Sequence, residues 1–246
     1  MSEQDFEKQA NTTDSSWPLV QQWISSARNS VEILKSDRKL GEAVLHQLRI
    51  TSRSPMGAIA LETGGIFFDH GWLRVLGSGS ERMRGNLLSW NGIGNGAIGN
   101  KLRNAYIVAH DIVGGFFAIN GGEFSGKRGE VFYLAPDTLR WESLQMSYSQ
   151  FLYWSCFGNL GEFYQTSRWS SWENDILAIN GDQGISVYPF LWSNTNTPIE
   201  ARSRRIVPMI ELWNLEQNIA AQIRDLPEGT QIQLHIDELD SERELY

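Results

Sequence analysis

The chain has 246 residues and a formal net charge of −8, from 29 acidic and 21 basic side chains. Apolar residues make up 41% and aromatics 11%, with ten Trp, which excludes intrinsic disorder as the general state and predicts a packed core. The acidic balance excludes generic nucleic-acid binding, which needs a basic face for the phosphates, and suits a basic protein partner instead.

A chain of this length can be served by one core, so a single domain over 1–246 is expected. The opening MSEQDFEKQANTTDSSW carries no apolar segment of signal type, and no apolar run reaches membrane-spanning length. The expected location is therefore cytoplasmic, with no membrane partner. The single Cys156, inside FLYWSCFG, predicts a buried inert thiol in a reducing compartment.

In chain order, Ser15 or Ser16 can cap a first helix with Pro18 in its opening turn and Trp17, Val20, Trp23, Ile24 and Ala27 at helical spacing. Leu40, Val44, Leu45 and Leu48 predict a second helix after the SDRK turn. From Gly57 onward GAIALE and IFFDHGWLRVLG read as short strands or extended pieces between glycine turns. The stretch GSGSERMRGNLLSWNGIGNGAIGNKLRN predicts a long loop with one helical turn at Arg82 to Leu88. AYIVAHD, GGFFAIN and GEVFYLA predict three strands, followed by a turn at Pro136-Asp137 leading to Trp141. Ser147 can cap a helix bearing Tyr148, Phe151, Leu152, Ser155 and Cys156 on one face. Beyond Gly161, RWSSWENDILAIN predicts a helix, QGISVYPFLWS a strand, EARSRRI a basic link, and Pro208 the start of a helix to about Arg224. TQIQLHID alternates as a last strand. Helices interleaved with antiparallel strands in this way predict an α+β fold.

Motifs that could carry chemistry are few. Gly94 to Gly99 spells G-x-G-x-x-G, but no apolar strand precedes it, and a glycine loop accounts for it better than a dinucleotide site. Asp69-His70 and His110-Asp111 each place an acid beside an imidazole at a predicted strand end. Were the two ends to meet, they could hold a metal or share a proton, although neighbours along a strand point to opposite faces. Arg202, Arg204 and Arg205 form the one compact basic cluster, suited either to an anion or to a solvated loop. Trp169 and Trp172 at i, i+3 could form a stacking platform or pack in the core. No G-x-S-x-G element occurs and nothing beside Cys156 would activate it, so no catalytic residue, metal or cofactor is expected.

Taken together, Glu62-Thr63-Gly64-Gly65, Asp111 with Gly114-Gly115-Phe116-Phe117-Ala118-Ile119-Asn120, Gly129-Glu130-Val131-Phe132-Tyr133 and Ser147-Tyr148-Ser149-Gln150-Phe151-Leu152 follow a familiar order. Residues Leu40 to about Gly158 resemble the SUKH superfamily of bacterial proteins. More closely, SPMGA, HGWLRVLGSG, GGFFAINGG and PDTLRWE resemble an uncharacterised bacterial domain-of-unknown-function family, and that similarity spans nearly the whole chain. The SUKH resemblance implies a mixed sheet packed by helices over about 17–158, many of whose members neutralise toxins. Here a C-terminal α/β extension at about 159–236 and an acidic tail at 237–246 are added.

The expectation is a non-enzymatic binding protein, an immunity or toxin-neutralising factor for a basic protein, with Asp69, Trp72, Asp111, Glu123, Asp137 and Trp141 as candidate binding residues. The alternative is a small-molecule- or metal-binding protein or a hydrolase using Asp69, His70, His110 and Asp111. A self-associating module built on exposed aromatics is a third reading.

Overall fold

A computed structural model describes residues 15–94, 98 and 102–223. The first helix, α1 (Trp17–Ser25), carries Pro18 in its first turn, and Ser15 Oγ accepts from Trp17 N at 3.2 Å. Strand β1 (Val31–Leu34) follows, then α2 (Arg38–Leu48), started by the Asp37 side chain accepting from Lys39 N and stopped by Arg49 in the left-handed region. In α3 (Pro55–Glu62), Ser54 Oγ accepts from Gly57 N and Pro55 occupies the first turn, where it sacrifices no helical bond.

The main sheet is a meander of β1, β2 (Gly65–Phe68), β3 (Leu73–Leu76), β4 (Ala105–Asp111), β5 (Phe116–Asn120), β6 (Glu130–Ala135) and β7 (Arg140–Ser147). Spatial order follows chain order, and every described pairing is antiparallel. Register places Phe67, Arg74, His110 and Phe116 on one face and Val75, Ala109, Phe117 and Tyr133 on the other. Two long helices cover these faces. α4 (Tyr148–Phe157) begins at a capping box between Ser147 and Gln150 and sets Phe151 4.9 Å from Phe117. α7 (Met209–Ile223) sets Trp213 4.6 Å from Phe116 on the opposite face.

Between them lie two short helices, α5 (Leu160–Phe163) and α6 (Trp172–Ile176), and the antiparallel pair β8 (Gln183–Tyr188) and β9 (Ser203–Pro208). This C-terminal part shares the core of the main sheet. Ile185 N donates to Ile112 O at 2.6 Å, and Trp72, Trp90 and Trp213 are each 2% exposed or less. An aromatic side chain buries on the order of 200 Å², so at about 25 cal/mol per Å² each contributes on the order of 5 kcal/mol before conformational entropy is subtracted.

Several expectations are corrected. The sheet is antiparallel throughout its described strands, as the strand pattern predicted, where the SUKH resemblance implied a mixed sheet. GAIALE lies in α3, whose residues Gly57 to Leu61 are all buried, so the segment shows no one-sided helical period. The turn in the long loop is a 3₁₀ turn at Ser89–Asn91, later than Arg82 to Leu88. VEIL and RWESLQMS are the two edge strands, β1 and β7, neither of which was expected. EARSRRI includes most of β9, which is held by pairing with β8. The expected strand TQIQLHID and the acidic tail lie outside the described residues, as does most of the Gly94 to Gly99 motif. Among the described residues no helix is long and apolar enough to cross a membrane.

Candidate functional site

The turn joining β2 to β3 places Asp69, His70 and Gly71 in the left-handed region, with φ of 51°, 58° and 92°. Asp and His tolerate this region better than most side chains, and glycine adopts it freely. The turn is pinned to the segment before β1: Asp69 N donates to Ser30 O at 2.8 Å and His70 N to Ser30 Oγ at 2.7 Å. The Asp69 carboxylate forms an ion pair with Arg168, whose guanidinium lies over Trp172 at 4.2 Å, Trp72 at 4.6 Å and Tyr164 at 5.2 Å. Trp72 also meets Trp169 at 5.8 Å and Trp172 at 5.3 Å. An aromatic cage of this kind can recognise a cation. Here it is filled from within the chain and its charge is already balanced by Asp69. Trp169 and Trp172 pack into it and offer no free platform.

The hairpin between β4 and β5 builds a second polar centre. Asp111 Oδ1 accepts from Val113 N at 3.0 Å and Gly115 N at 2.8 Å, and Oδ2 accepts from the Tyr133 hydroxyl at 2.7 Å. Burial pushes the Asp111 carboxyl up to about 6, while the Tyr133 hydroxyl, the two amides and Arg74 pull the other way. Gly115 exists for this arrangement, because a Cβ there would overlap both the Asp111 carboxylate and the Tyr133 hydroxyl. At Gly114, φ is 101° and a Cβ would overlap Glu216 of α7. Glu216 is 1% exposed and its Oε2 has no partner among the described residues. Burial, and next the Asp111 charge, hold its carboxyl well above the usual range. The same two influences, burial first, raise the Tyr133 and Tyr164 hydroxyls.

His110 faces the other side of the sheet from Asp111. It lies 5.7 Å from Trp90 and 5.9 Å from Phe116, and burial, followed by Arg74, pushes it down to about 3. It is therefore a neutral imidazole at ordinary pH, with Nδ1 unpartnered among the described residues. Asp69 is committed to Arg168, Asp111 to Tyr133, and His110 lies on the opposite face, so the four Asp and His residues do not converge on one open surface. No group of three or more potential ligands suited to a metal ion occurs among the described residues. Cys156 is buried, and burial pushes its thiol up to about 12.

Of the six candidate binding residues, Asp69, Trp72 and Asp111 thus gather around Tyr164 and serve the interior. Of the other three, Trp141 is in edge strand β7, Asp137 in the turn leading to it, and Glu123 in the loop between β5 and β6. Glu123 is exposed and accepts from Asn104 N at 2.8 Å. Trp141 stacks on Phe124 at 4.6 Å. Asp137, exposed in the turn from β6 to β7, lines a cleft of about 380 Å³ with Tyr133, Glu142, Phe163, Tyr164 and Arg202. Arg202 donates to the carbonyls of Thr197, Pro189 and Phe190, and Arg204 to those of Ile199 and Arg202, so the basic cluster is partly spent on chain structure.

Sequence reasoning did not assign roles to Arg74, Tyr164 or Arg168. Glu216 falls in the helix expected after Pro208, where an acid amid Leu212, Trp213 and Ile219 was the available signal. The paired glycines at 114 and 115 signalled a close approach, without revealing that two carboxyls cause it.

No solved structure matches the chain. It is 39% identical over 212 residues to the uncharacterised protein YbfG of Escherichia coli (strain K12), covering 84% of this chain and 92% of that protein. It is 34% identical over 204 residues to an uncharacterised protein of Haemophilus influenzae, covering 83% of this chain and 90% of that one. A family model described as "Protein of unknown function DUF2625" matches residues 6–212, and the chain belongs to that family.

Proposed function

We propose that the chain is a non-enzymatic binding protein, and that its partner is a basic protein of toxin type, as the SUKH resemblance implies. The observation that carries this reading is the outer edge of β7. Six of its eight residues pair with β6, Leu144 and Gln145 form a bulge, and among the described residues no other strand pairs with it, so its outer backbone groups on either side of the bulge are open to a partner strand. Beside that edge, the exposed acids Asp137 and Glu142 line the 380 Å³ cleft, with Tyr133, Phe163 and Tyr164 as its aromatic wall. A Lys or Arg side chain of the partner would meet carboxylate and aromatic surface together there. Across the chain, the net charge of −8 would speed the encounter. The interior Asp, His and Glu groups support a scaffold role, because their polar atoms face one another or the core.

The test is capture on the tagged full-length chain at low salt, with elution as salt is raised. A basic protein should be retained by the native chain, released as screening grows, and lost from a D137K/E142K variant that still folds. Retention unchanged by that double substitution, or no salt-sensitive partner at all, would defeat the reading.

A further inference from the structure

A second cleft, on the far side of the molecule's sheet from β7, lies between the Asp69 to Gly71 turn, β1 and the chain after α6. It has a volume of about 270 Å³ and is lined by Ser30, Phe67, His70, Arg74, Arg82 and Ile179, among others. We propose that this cleft binds a small molecule through one oxyanion, a carboxylate or a phosphate, held between Arg74 and Arg82.

Arg74 is 1% exposed, and its hydrogen bonds run only to carbonyls: Nε to Gly71 O at 3.0 Å, and Nη1 to Gly181 O at 3.1 Å and to Gln183 O. Carbonyls orient a guanidinium but cancel none of its charge. Its third nitrogen, Nη2, has no acceptor among the described residues. The nearby carboxylates do not bond to it. Asp182 accepts from Arg84 N and Gly85 N at 2.8 and 2.7 Å, and Asp111 from Tyr133 and its own turn. A second guanidinium, Arg82, comes to the same ring: both arginines lie 5.4 Å from the centroid of Phe67. Glu32 pairs with Arg82, in a contact whose two side chains are 55% and 52% exposed. Among the described residues no carboxylate forms a hydrogen bond with Arg74. Burial pushes its guanidinium down to about 9, while the charges of Asp182 and Asp111 pull the other way.

The volume sits near the lower limit of about 300 Å³ for small-molecule pockets, which favours a small ligand over a nucleotide. Phe67, Ile176 and Ile179 give the rest of that ligand an apolar wall, and the exposed His70 stands in the lining. This site lies apart from the β7 edge and does not depend on the protein-binding reading.

The test is thermal melting of the full chain with inorganic phosphate in one arm and isovalerate in the other, each against sodium chloride at equal ionic strength. One arm or both should raise the melting temperature by about 3–5 °C at ten times the dissociation constant. The arm that responds names the oxyanion. Arg82→Glu should weaken that binding about tenfold or more, while Arg84→Ala, outside the cleft, should leave it unchanged. Arg82→Ala, which adds no new charge, repeats the test should the reversal disturb folding. Melting unmoved in both arms, or a response that survives at Arg82→Glu and Arg82→Ala, would overturn the proposal.

Discussion

Asp111 shows how a single polar side chain dictates its neighbours. Its carboxylate occupies the space a side chain at position 115 would need, so that position must be glycine for a steric reason; φ there is not positive. Gly115→Ala is expected to destabilise the fold by about 1–3 kcal/mol or more, read as a lowered urea midpoint. Gly161→Ala, whose added methyl meets only Asn159 Oδ1 at 3.4 Å, should change it by less than about 1 kcal/mol. Glu216 adds a pH dependence with a defined sign. Its folded-state carboxyl titrates well above the ordinary 4.5, so the folded chain holds a proton that the unfolded chain has lost. That stabilisation is complete below the unfolded value and disappears as pH rises through the folded one. Asp111 acts with the same sign between its ordinary 3.8 and about 6. The melting temperature of the native chain should therefore fall as buffer is taken from mildly acid to alkaline. Glu216→Gln, which keeps the shape and has no proton to lose, should make that fall shallower. An unchanged slope in the variant would remove Glu216 as its source.

At the scale of elements, local chemistry was legible where it acts alone. The Ser147 cap was read from the sequence, and in the structure its Oγ accepts from Gln150 N at 3.4 Å while Gln150 Oε1 accepts from Ser147 N at 2.8 Å. Because the first of these bonds is long, Ser147→Ala should cost near the lower end of the range for caps, about 0.5–1 kcal/mol by denaturant unfolding. A loss above about 2 kcal/mol would mean that Ser147 does more than cap. The three central strands were legible too, since both of their faces are buried and their sequences are apolar almost throughout. Edge strands were not. RWESLQMS holds Arg, Glu, Ser and Gln, residues depleted in strands, and only pairing with β6 makes it extended. α3 failed in the opposite way, because a helix buried on all sides has no polar face to reveal its period. The candidate site followed the same division. Asp69, Trp72 and Asp111 were singled out as candidate binding residues, but their intramolecular partners Arg168, Tyr164 and Tyr133 lie 22 to 99 positions away, and nothing local announces such contacts.

The whole molecule settles what the last third of the described chain contributes. The SUKH resemblance ends near Gly158, which would make the remainder an appendage, yet the packing crosses that boundary everywhere. Arg74 of β3 is anchored by Gly181 and Gln183, Asp69 is paired with Arg168, and Phe116 and Trp90 are covered by Trp213 at 4.6 and 6.4 Å. Ending the chain at Gly158 would leave Arg74 without two of its three carbonyl acceptors and strip α7 from the face of the sheet that bears Phe116. Burial of Trp72, Trp90 and Phe116 would be lost together, on the order of 10 kcal/mol, which rivals the net stability of an ordinary domain of about 5–15 kcal/mol. A fragment of residues 1–158 should therefore show no cooperative urea transition and no near-ultraviolet circular dichroism of fixed tryptophans, whereas the full chain shows both. A two-state fragment with native-like signals would instead establish an autonomous SUKH-sized core, with the extension as a removable layer carrying the Arg74 anchors.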